Sequence, residues 1–582
     1  MHRGTSYLSI DRGYDGNAQC MDASPTSKSV LRGVGFLILG AVVLFLLSPA
    51  PNTHPGGAGG GLAPQIDKPP SYRDPRQRTR RLPVRVQSLL AQSQIVGTHL
   101  KDVKEGKKTV EEIIHGGVHL AGMGHNDATG GVHAGGIGSS GHIGLGAASR
   151  NHKSAPMNLS EVLSFIQSFL KKLKSSNMRN KRATAHGIWA AYHDLAVKFL
   201  YPWDQEYLHR MPPRRRDGTI FLSVVSHRDE FCPDTLKAAF EKAKNPKKLY
   251  IGLAQQNCEE EKCRSGVLEN GKTEDVKPDP DCYAQFCSSD VGKSYCKEGH
   301  VRLLRMKESE SLGPYMARFF ASKLWMGEEW YMQIDAHMTF LQDWDELSIK
   351  MLRTAPSEKP VLSHYPPPHT ADLVEKSTVP APRLCGPAFA RGDEDSEIIR
   401  LDHSFYYDTV KLDTPRFAPF AAGGYLIAHS AILQEVPFDP FLPYIFMGGE
   451  ILISARIWTS GYDIFSPTHS LLGHNYERKH KPMFWESIHR TFTFGVYSPL
   501  EMIVQNRIKS QLGYPESARD MVKPKSLFTA VEQYSMGTSR SLEDYLKMVG
   551  LNMTTKEVTY TAWCERGVPP PSFERYAQLY KT

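Results

Sequence analysis

A large excess of charge of either sign is absent from this chain. Its 70 Lys+Arg stand against 62 Asp+Glu over 582 residues, and the resulting +8 is too mild for the electrostatic footprint of a nucleic-acid binder. Compositional bias is lacking too: 40% hydrophobic, 10% aromatic and 23% charged residues exclude a wholly disordered chain, a collagen and a multi-span membrane protein. What is present is enough apolar sequence for a sizeable core, in a chain much longer than one domain of about 150 residues.

An uncharged apolar run, GVGFLILGAVVLFLLSPA at 33–50, follows Arg32. It reads as a short membrane span or as the apolar part of a signal peptide. The 32 residues before it are long for a signal peptide, so a single transmembrane signal anchor is expected. Lys28 and Arg32 outnumber Lys68 beyond it, which places the tail at 1–32 in the cytosol and the rest in the lumen. A buried core helix is the third reading, disfavoured by the low-complexity sequence directly after the run. Cys20 precedes the run, while Cys232, Cys258, Cys263, Cys282, Cys287, Cys296, Cys385 and Cys564 follow it. An even number suits pairing in an oxidising lumen, with the connectivity open. Cys258-x4-Cys263 and Cys282-x4-Cys287 also admit a zinc site, but both spacings exceed C-x2-C and favour disulfides in a surface insertion at 257–299. Asn158-Leu159-Ser160 and Asn552-Met553-Thr554 are glycosylation acceptors consistent with a lumenal address.

Residues 51–156 offer no packed core. PGGAGGG at 55–61, a Pro/Arg stretch at 69–85 and a Gly/His segment from His115 to His152 read as a flexible stem. His115, His119, His125, His133, His142 and His152 sit among glycines that hold no coordination geometry, so loose metal binding is the lesser reading. From Asn158 the pattern changes. Leu159, Val162, Leu163, Ile166, Phe169, Leu170 and Leu173 share one helical face, with Asn158 as cap and Glu161 three residues on. This helix, in a neck at 157–215, is suited to pair with a second copy, making a homodimer through the stem, or to pack on its own domain. The basic clusters at 171–182 and 214–216 read as solvated faces.

From Thr219 the chain alternates. TIFLSVVS (219–226), KLYIGLA (248–254), VRLLRM (301–306) and WYMQI (330–334) predict strands; Pro233–Lys242 and Pro314–Met326 predict helices. Repeated βα units argue for a mainly parallel sheet covered by helices, with ligands beyond the carboxyl ends of the strands. Asp335-Ala336-His337 stands at such an end, a carboxylate and an imidazole on one side of an extended segment, suited to chelate one divalent ion or simply to end a strand.

TIFLSVVSHRDEFCPDTLKAAFEKAKNPKKLYIGLAQQ (219–256), ARFFASKLWMGEEWYMQIDAHMTF (317–340), KPVLSHYPP (359–367) and AAGGYLIAHSAILQEVPFDPFLPYIFMGGEILISARIWTSGYDIFSPTHSLLGHNYERKHKPMFWE (421–486) together make a recognisable set. They closely resemble the GlcNAc-transferase family first described for cytosolic protein-hydroxyproline N-acetylglucosaminyltransferase, glycosyltransferase family 60. The resemblance covers roughly 219–500 and continues more weakly through GTSRSLEDYLKMVG at 537–550. Membrane-anchored relatives that add α-GlcNAc to Ser or Thr of secretory proteins match the topology read above. A more distant similarity runs to the polypeptide N-acetylgalactosaminyltransferases.

The resemblance implies a GT-A fold: an α/β catalytic domain at 216–500 with a mixed, mainly parallel sheet flanked by helices, and a C-terminal helical extension at 501–582. It implies a D-x-D-like motif at Asp335 and His337, with His474 of LLGH as third ligand to Mn²⁺ or another divalent cation; a mixed O/N set suits Mn²⁺ better than Mg²⁺ or Ca²⁺. Donor contacts are implied at Ser226, Arg228 and Asp229 after the first strand, and at Arg318, Asp335, Gly423, Gly424, Glu450 and Trp485, with Asp335 and Glu450 catalytic. Several carry a second reading: Arg228 in an internal Arg–Asp pair, Gly423-Gly424 as a turn, His474 and Trp485 as core. Gly449 departs from the pattern, standing where many family members carry an acid before Glu450.

The expectation is a metal-dependent, retaining glycosyltransferase that moves GlcNAc from UDP-GlcNAc to a Ser, Thr or hydroxyproline hydroxyl. It would be a single-pass type II protein of the Golgi membrane with a lumenal catalytic domain. The partners implied are a UDP-sugar donor, a protein or peptide acceptor and the membrane through the N-terminal helix, with no nucleic acid. Alternatives are a catalytically silent binding protein, motivated by Gly449 and the His-rich stem, a transferase using another UDP-sugar such as UDP-GalNAc, and a zinc hydrolase using Asp335, His337 and His474.

Overall fold

The computed structural model describes residues 155–568 and 570, apart from 177–182, 267, 269–271, 370–380, 391–396, 402–404, 407–411, 478–480, 493, 516–524, 560 and 569. The apolar run at 33–50, the tail at 1–32 and the His-rich segment at 115–152 lie outside the described residues. Among the described residues no helix is long and apolar enough to cross a membrane.

The centre is an eight-stranded sheet. Its strands in chain order are β1 (Ile220–His227), β2 (Leu249–Asn257), β3 (Val301–Lys307), β4 (Trp330–Asp335), β5 (Pro360–Ser363), β6 (Arg416–Phe417), β7 (Tyr425–His429) and β8 (Asp463–Ser466). In space they run β6-β8-β5-β7-β4-β1-β2-β3. The first four are the runs that the apolar pattern predicts, and β1 and β2 are buried along nearly their whole length, as strands covered by helices on both faces must be. β1 pairs in parallel with β2 (Ile220 opposite Leu249) and with β4 (Ile220 opposite Trp330); β2–β3 and β5–β8 are parallel as well. β7 enters antiparallel between β4 and β5, which makes the sheet mixed but mainly parallel and fits a GT-A fold.

This order positions the site. From β1 the chain builds β2 and β3 on one side, then returns through helix α1 (Pro314–Ser322) to lay β4 on the other. The loops after β1 and β4 therefore diverge and leave a crevice at their carboxyl ends. Because β7 is antiparallel, Tyr425 at its start lies opposite Ile334 at the end of β4. The Gly423-Gly424 turn is thereby brought to the same edge.

The neck helix Leu159–Ser175 carries the expected capping box: Glu161 N–H donates to Asn158 Oδ1 at 3.0 Å and Asn158 N–H to Glu161 Oε2 at 2.9 Å. Its apolar face packs on the chain's own domain. Val162, Ile166, Phe169, Leu170 and Leu173 are buried, Phe165 stacks on Trp203 at 4.2 Å, and Phe169 meets Phe320 of α1 at 6.4 Å. Of the two readings of this helix, packing on its own domain is the one these contacts show.

The helix Phe494–Gln511 runs across the expected boundary at 500, and the residues after it include a short hairpin, Leu551–Asn552 with Glu557–Val558, besides helices. The Cys385–Cys564 disulfide ties them to the segment before β6. The remaining pairs are Cys232–Cys282, Cys258–Cys263 and Cys287–Cys296, which leaves none of these cysteines free to ligate zinc.

Candidate active site

Asp335 ends β4 opposite Val225 of β1. The two residues after it are held by Thr235, whose hydroxyl donates to the Ala336 carbonyl at 2.8 Å and accepts from the Met338 N–H at 2.9 Å. His337 is thus fixed beside Asp335. Residues 338–340 then pair antiparallel with 472–474, putting His474 in register with Met338, and Asn475 N–H donates to the His337 carbonyl at 2.9 Å. The other edge of His474 is held by the proline run: its N–H donates to Pro367 O and its carbonyl accepts from His369 N–H, both at 2.8 Å.

The side chains converge. His337 Nε2 and His474 Nε2 are 3.1 Å apart, His474 Nε2 is 3.3 Å from Asp335 Oδ2, and one ligand atom from each residue falls within 4.8 Å of the others. His337 Nδ1 lies 2.5 Å from Asp229 Oδ2, so a proton on Nδ1 is donated outward and the Nε2 lone pair faces the cluster. A carboxylate behind an imidazole is the usual support for a metal-ligating histidine. One oxygen and two nitrogens aimed at one point fit a divalent transition ion such as Mn²⁺.

Electrostatics agree with that arrangement. Burial works against ionisation of Asp335, but the contacts of the site, led by the Arg318 guanidinium, outweigh it and hold its pKa well below the carboxylate range. Arg318 Nη2 donates to Asp335 Oδ1 at 2.8 Å, and its Nε is buried without a hydrogen-bond partner. Burial lowers the pKa of His474 and so favours the neutral, ligating form.

Glu450 lies in the first turn of the helix α2 (Gly449–Thr459) and reaches the same edge. Its Oε1 accepts from Gly423 N–H and its Oε2 from the Tyr365 hydroxyl, both at 2.6 Å. Burial raises its pKa despite those bonds. A Cβ built on Gly424 would lie 2.8 Å from Asp335 Oδ2, so glycine there is required by close approach to the carboxylate. Gly423 is similarly crowded by Arg318 and Glu450.

Asp335, His337, His474, Asp229, Arg318, Gly423, Gly424 and Glu450 are therefore one constellation. Asp229 belongs to it through His337, which its position in the loop after β1 does not reveal. Arg228 does not belong: it is fully buried with φ +51°, its Nε 2.7 Å from Asp279 and its Nη1 3.1 Å from Glu308, so donor contact is corrected to an internal ion pair with the Cys-rich insertion. Ser226 is also buried, with its hydroxyl unpaired. Trp485 is half-buried against Phe446, edge to face at 4.5 Å. Tyr365 is a functional candidate that residue-by-residue reading missed; its only signal was its place in the KPVLSHYPP block.

A search of curated proteins finds no match to this chain. Among solved structures it is similar to GalNAc-T7 with UDP, GalNAc and Mn²⁺, at 13% identity over 69% of this chain and 68% of that one with a TM-score of 0.33. It is also similar to TarS 1-349 of S. aureus in complex with UDP-GlcNAc, at 10% identity over 45% and 59% with a TM-score of 0.25. The decisive finding is a sequence-family match that spans every element of the constellation: the glycosyltransferase (GlcNAc) family fits residues 219–555, more than half of the chain. By that match the chain belongs to the GlcNAc glycosyltransferase family.

Proposed function

We propose that this glycosyltransferase moves GlcNAc from UDP-GlcNAc to a Ser, Thr or hydroxyproline hydroxyl of a protein acceptor, using Mn²⁺ or another divalent cation at Asp335, His337 and His474. The observation that carries the reading is the convergence of those three ligand atoms at the carboxyl end of β4, directly beside Arg318 and Glu450. A divalent ion at this position supplies Lewis-acid stabilisation to a departing diphosphate.

The protein's own groups do the rest by placement. Arg318 presents a fixed positive charge where negative charge develops as UDP departs. Glu450, clamped by Tyr365 and Gly423, is placed to accept hydrogen bonds from sugar hydroxyls and orient the ring. Among the described residues no carboxylate stands isolated at the site as a covalent nucleophile, which supports same-face attack by the acceptor hydroxyl with retention. In that step the acceptor oxygen bonds to the anomeric carbon as the bond to the β-phosphate oxygen breaks, and that oxygen takes the hydroxyl proton. Glu450 alone makes both clamp contacts, so an active site without an acid at position 449 is physically coherent, which favours this reading over a silent binding protein. The apolar run at 33–50 and the eight cysteines paired after it support a Golgi type II address.

The test is UDP release by the full chain in detergent with a panel of UDP-sugars, peptides carrying Ser, Thr or hydroxyproline, and Mn²⁺ or chelator. Selective UDP-GlcNAc turnover, dependent on Mn²⁺ and lost in Asp335→Ala, is the expected result. No turnover with any donor by a folded protein would transfer the assignment to the silent binding protein.

A further inference from the structure

Arg228 is held in a conformation that side chains seldom adopt. At φ +51° it sits in the left-handed region, which a residue other than glycine keeps only where its surroundings over-determine it. Three contacts do so. Its backbone N–H donates to the Gln256 carbonyl at 2.9 Å, continuing the ladder between β1 and β2. Its guanidinium donates through Nε to Asp279 Oδ2 at 2.7 Å and through Nη1 to Glu308 Oε1 at 3.1 Å.

The turn decides where Asp229 goes. Val225 stands opposite Asp335 in the β1–β4 pairing, so straight continuation of both strands would carry Asp229 level with Thr339, two residues past His337 (225 to 335, hence 229 to 339). With the chain turned at Arg228, Asp229 is instead buried, its Oδ2 2.5 Å from His337 Nδ1 and its Oδ1 accepting the Phe231 N–H at 3.0 Å.

Asp279 is itself fixed from several directions. Besides Arg228 it accepts from Lys481 Nζ at 2.9 Å and from the Cys258 N–H at 2.7 Å, and the Cys258–Cys263 disulfide anchors that second donor. Lys481 follows His474 by seven positions, and a Cβ built on Gly266 of the insertion would lie 3.2 Å from the Lys481 carbonyl. The Cys-rich insertion is therefore docked against two loops of the site, the one after β1 and the one after His474.

Resting on the reading of Asp335, His337 and His474 as a metal site, we propose that Asp279 of the Cys-rich insertion is a positioning residue for that site. It holds Arg228 in the left-handed turn, the turn delivers Asp229 to His337, and Asp229 keeps the His337 Nε2 lone pair facing the ion. The insertion thus acts on metal binding from outside the ligand set. A neutral residue at 279 leaves the guanidinium with a weaker hold and lets the backbone at 228 relax toward the regions that side chains prefer. Asp229 then loses its aim at His337, although no ligand has been altered.

The experiment titrates the full chain in detergent with Mn²⁺ alone, following the free ion by paramagnetic resonance well below the melting temperature. Asp335→Ala sets the background from the rest of the chain, the His-rich segment included. Asp279→Asn is expected to bind Mn²⁺ about tenfold more weakly than the parent, the lower end of the range for residues that support a ligand. Glu328→Gln is the control for mere loosening: Glu328 is fully buried, pairs with Arg302 and lies two residues before β4, at the end opposite Asp335. It is expected to lose comparable stability with the affinity unchanged. The double variant Asp229→Asn, Asp279→Asn is expected to bind no more weakly than Asp229→Asn alone, because both changes break one relay. Unchanged affinity in Asp279→Asn, an equal loss in Glu328→Gln, or losses that multiply in the double variant each overturn the inference and leave the metal site standing. If Asp279→Asn does not fold, Glu308→Gln removes the more exposed partner of the same guanidinium. Binding about threefold weaker is expected there, and unchanged affinity overturns the inference. A parent that binds Mn²⁺ no better than Asp335→Ala overturns the metal reading and takes this inference with it.

Discussion

Asp229 and His337 are 108 positions apart in sequence, yet 2.5 Å separates Asp229 Oδ2 from His337 Nδ1. Such a carboxylate sets the tautomer of the ligand and raises its basicity, and removing comparable partners weakens metal binding about 10- to 100-fold. Asp229→Asn keeps the shape and loses the charge. Its Mn²⁺ affinity, titrated by paramagnetic resonance of the bound ion, should fall within that range; an unchanged affinity would show that the carboxylate is only a loop residue. Gly424 offers a second residue-level prediction. With a Cβ 2.8 Å from Asp335 Oδ2, Gly424→Ala must turn the carboxylate away from Arg318 and His474. Displacements of that order at reacting centres cost about 100-fold in rate, so kcat/KM should drop by about that factor, far more than the accompanying loss of stability from the weakened Arg318 pair accounts for. The residues legible in sequence were those whose neighbours along the chain announced them: Asp335 and His337 at the end of an apolar strand, His474 and Glu450 inside recognisable blocks. Partners chosen by the fold, such as Tyr365 for Glu450 and Asp279 for Arg228, carry no local pattern.

The loop after β1 and the Cys-rich insertion meet at one buried ion cluster. Arg228, held at φ +51°, pairs with Asp279, and Asp279 also accepts from Lys481 Nζ at 2.9 Å and from the Cys258 N–H at 2.7 Å. Stripping the carboxylate would remove the nearest partner of buried Arg228 and leave Glu308 to compensate part of its charge, so the cost should approach but not exceed the about 3–5 kcal/mol of a stranded buried charge. Asp279→Ala should therefore lower stability by that order in chemical denaturation, and the insertion should become protease-sensitive first. The pH dependence follows with a definite sign. Burial opposes ionisation of Asp279, but Arg228 and Lys481 outweigh it and depress its folded pKa below the unfolded value near about 3.9. Its contribution is present above the unfolded pKa and is lost as pH falls through it toward the folded one, so acidification below about pH 4 should weaken the parent more steeply than Asp279→Ala. At this scale β1 to β4 were readable because long apolar runs of a parallel core leave a plain signature. β5, β7 and β8 are only four or five residues each, too short to show a period, and the antiparallel insertion of β7 between β4 and β5 depends on pairings that no single segment encodes.

For the molecule as a whole, the question is where the folded unit begins. Composition places a neck at 157–215 apart from the catalytic domain, but packing does not respect that division. Five apolar residues of the helix Leu159–Ser175 are buried, and each contributes on the order of 1.5–3 kcal/mol when fully removed from water. Lys323, at the end of α1, forms a buried ion pair with Asp204, and the Tyr192 hydroxyl donates to the Pro440 carbonyl at 2.6 Å. Summed, these terms rival the whole stability of a typical domain, about 5–15 kcal/mol. A chain starting at residue 155 should fold with the melting temperature and UDP-sugar binding of the full protein. One starting at 216 exposes Phe320, strands Lys323 without its carboxylate and should be insoluble or molten, judged by near-ultraviolet circular dichroism. If instead the chain from 216 melts cooperatively at the parent temperature, the helices are a detachable spacer and the contacts of Phe165, Phe169 and Asp204 contribute nothing net. The same logic covers the other end of the unit: because Cys564 is bonded to Cys385, removal of residues beyond 555 should destabilise the fold even though the family resemblance stops there.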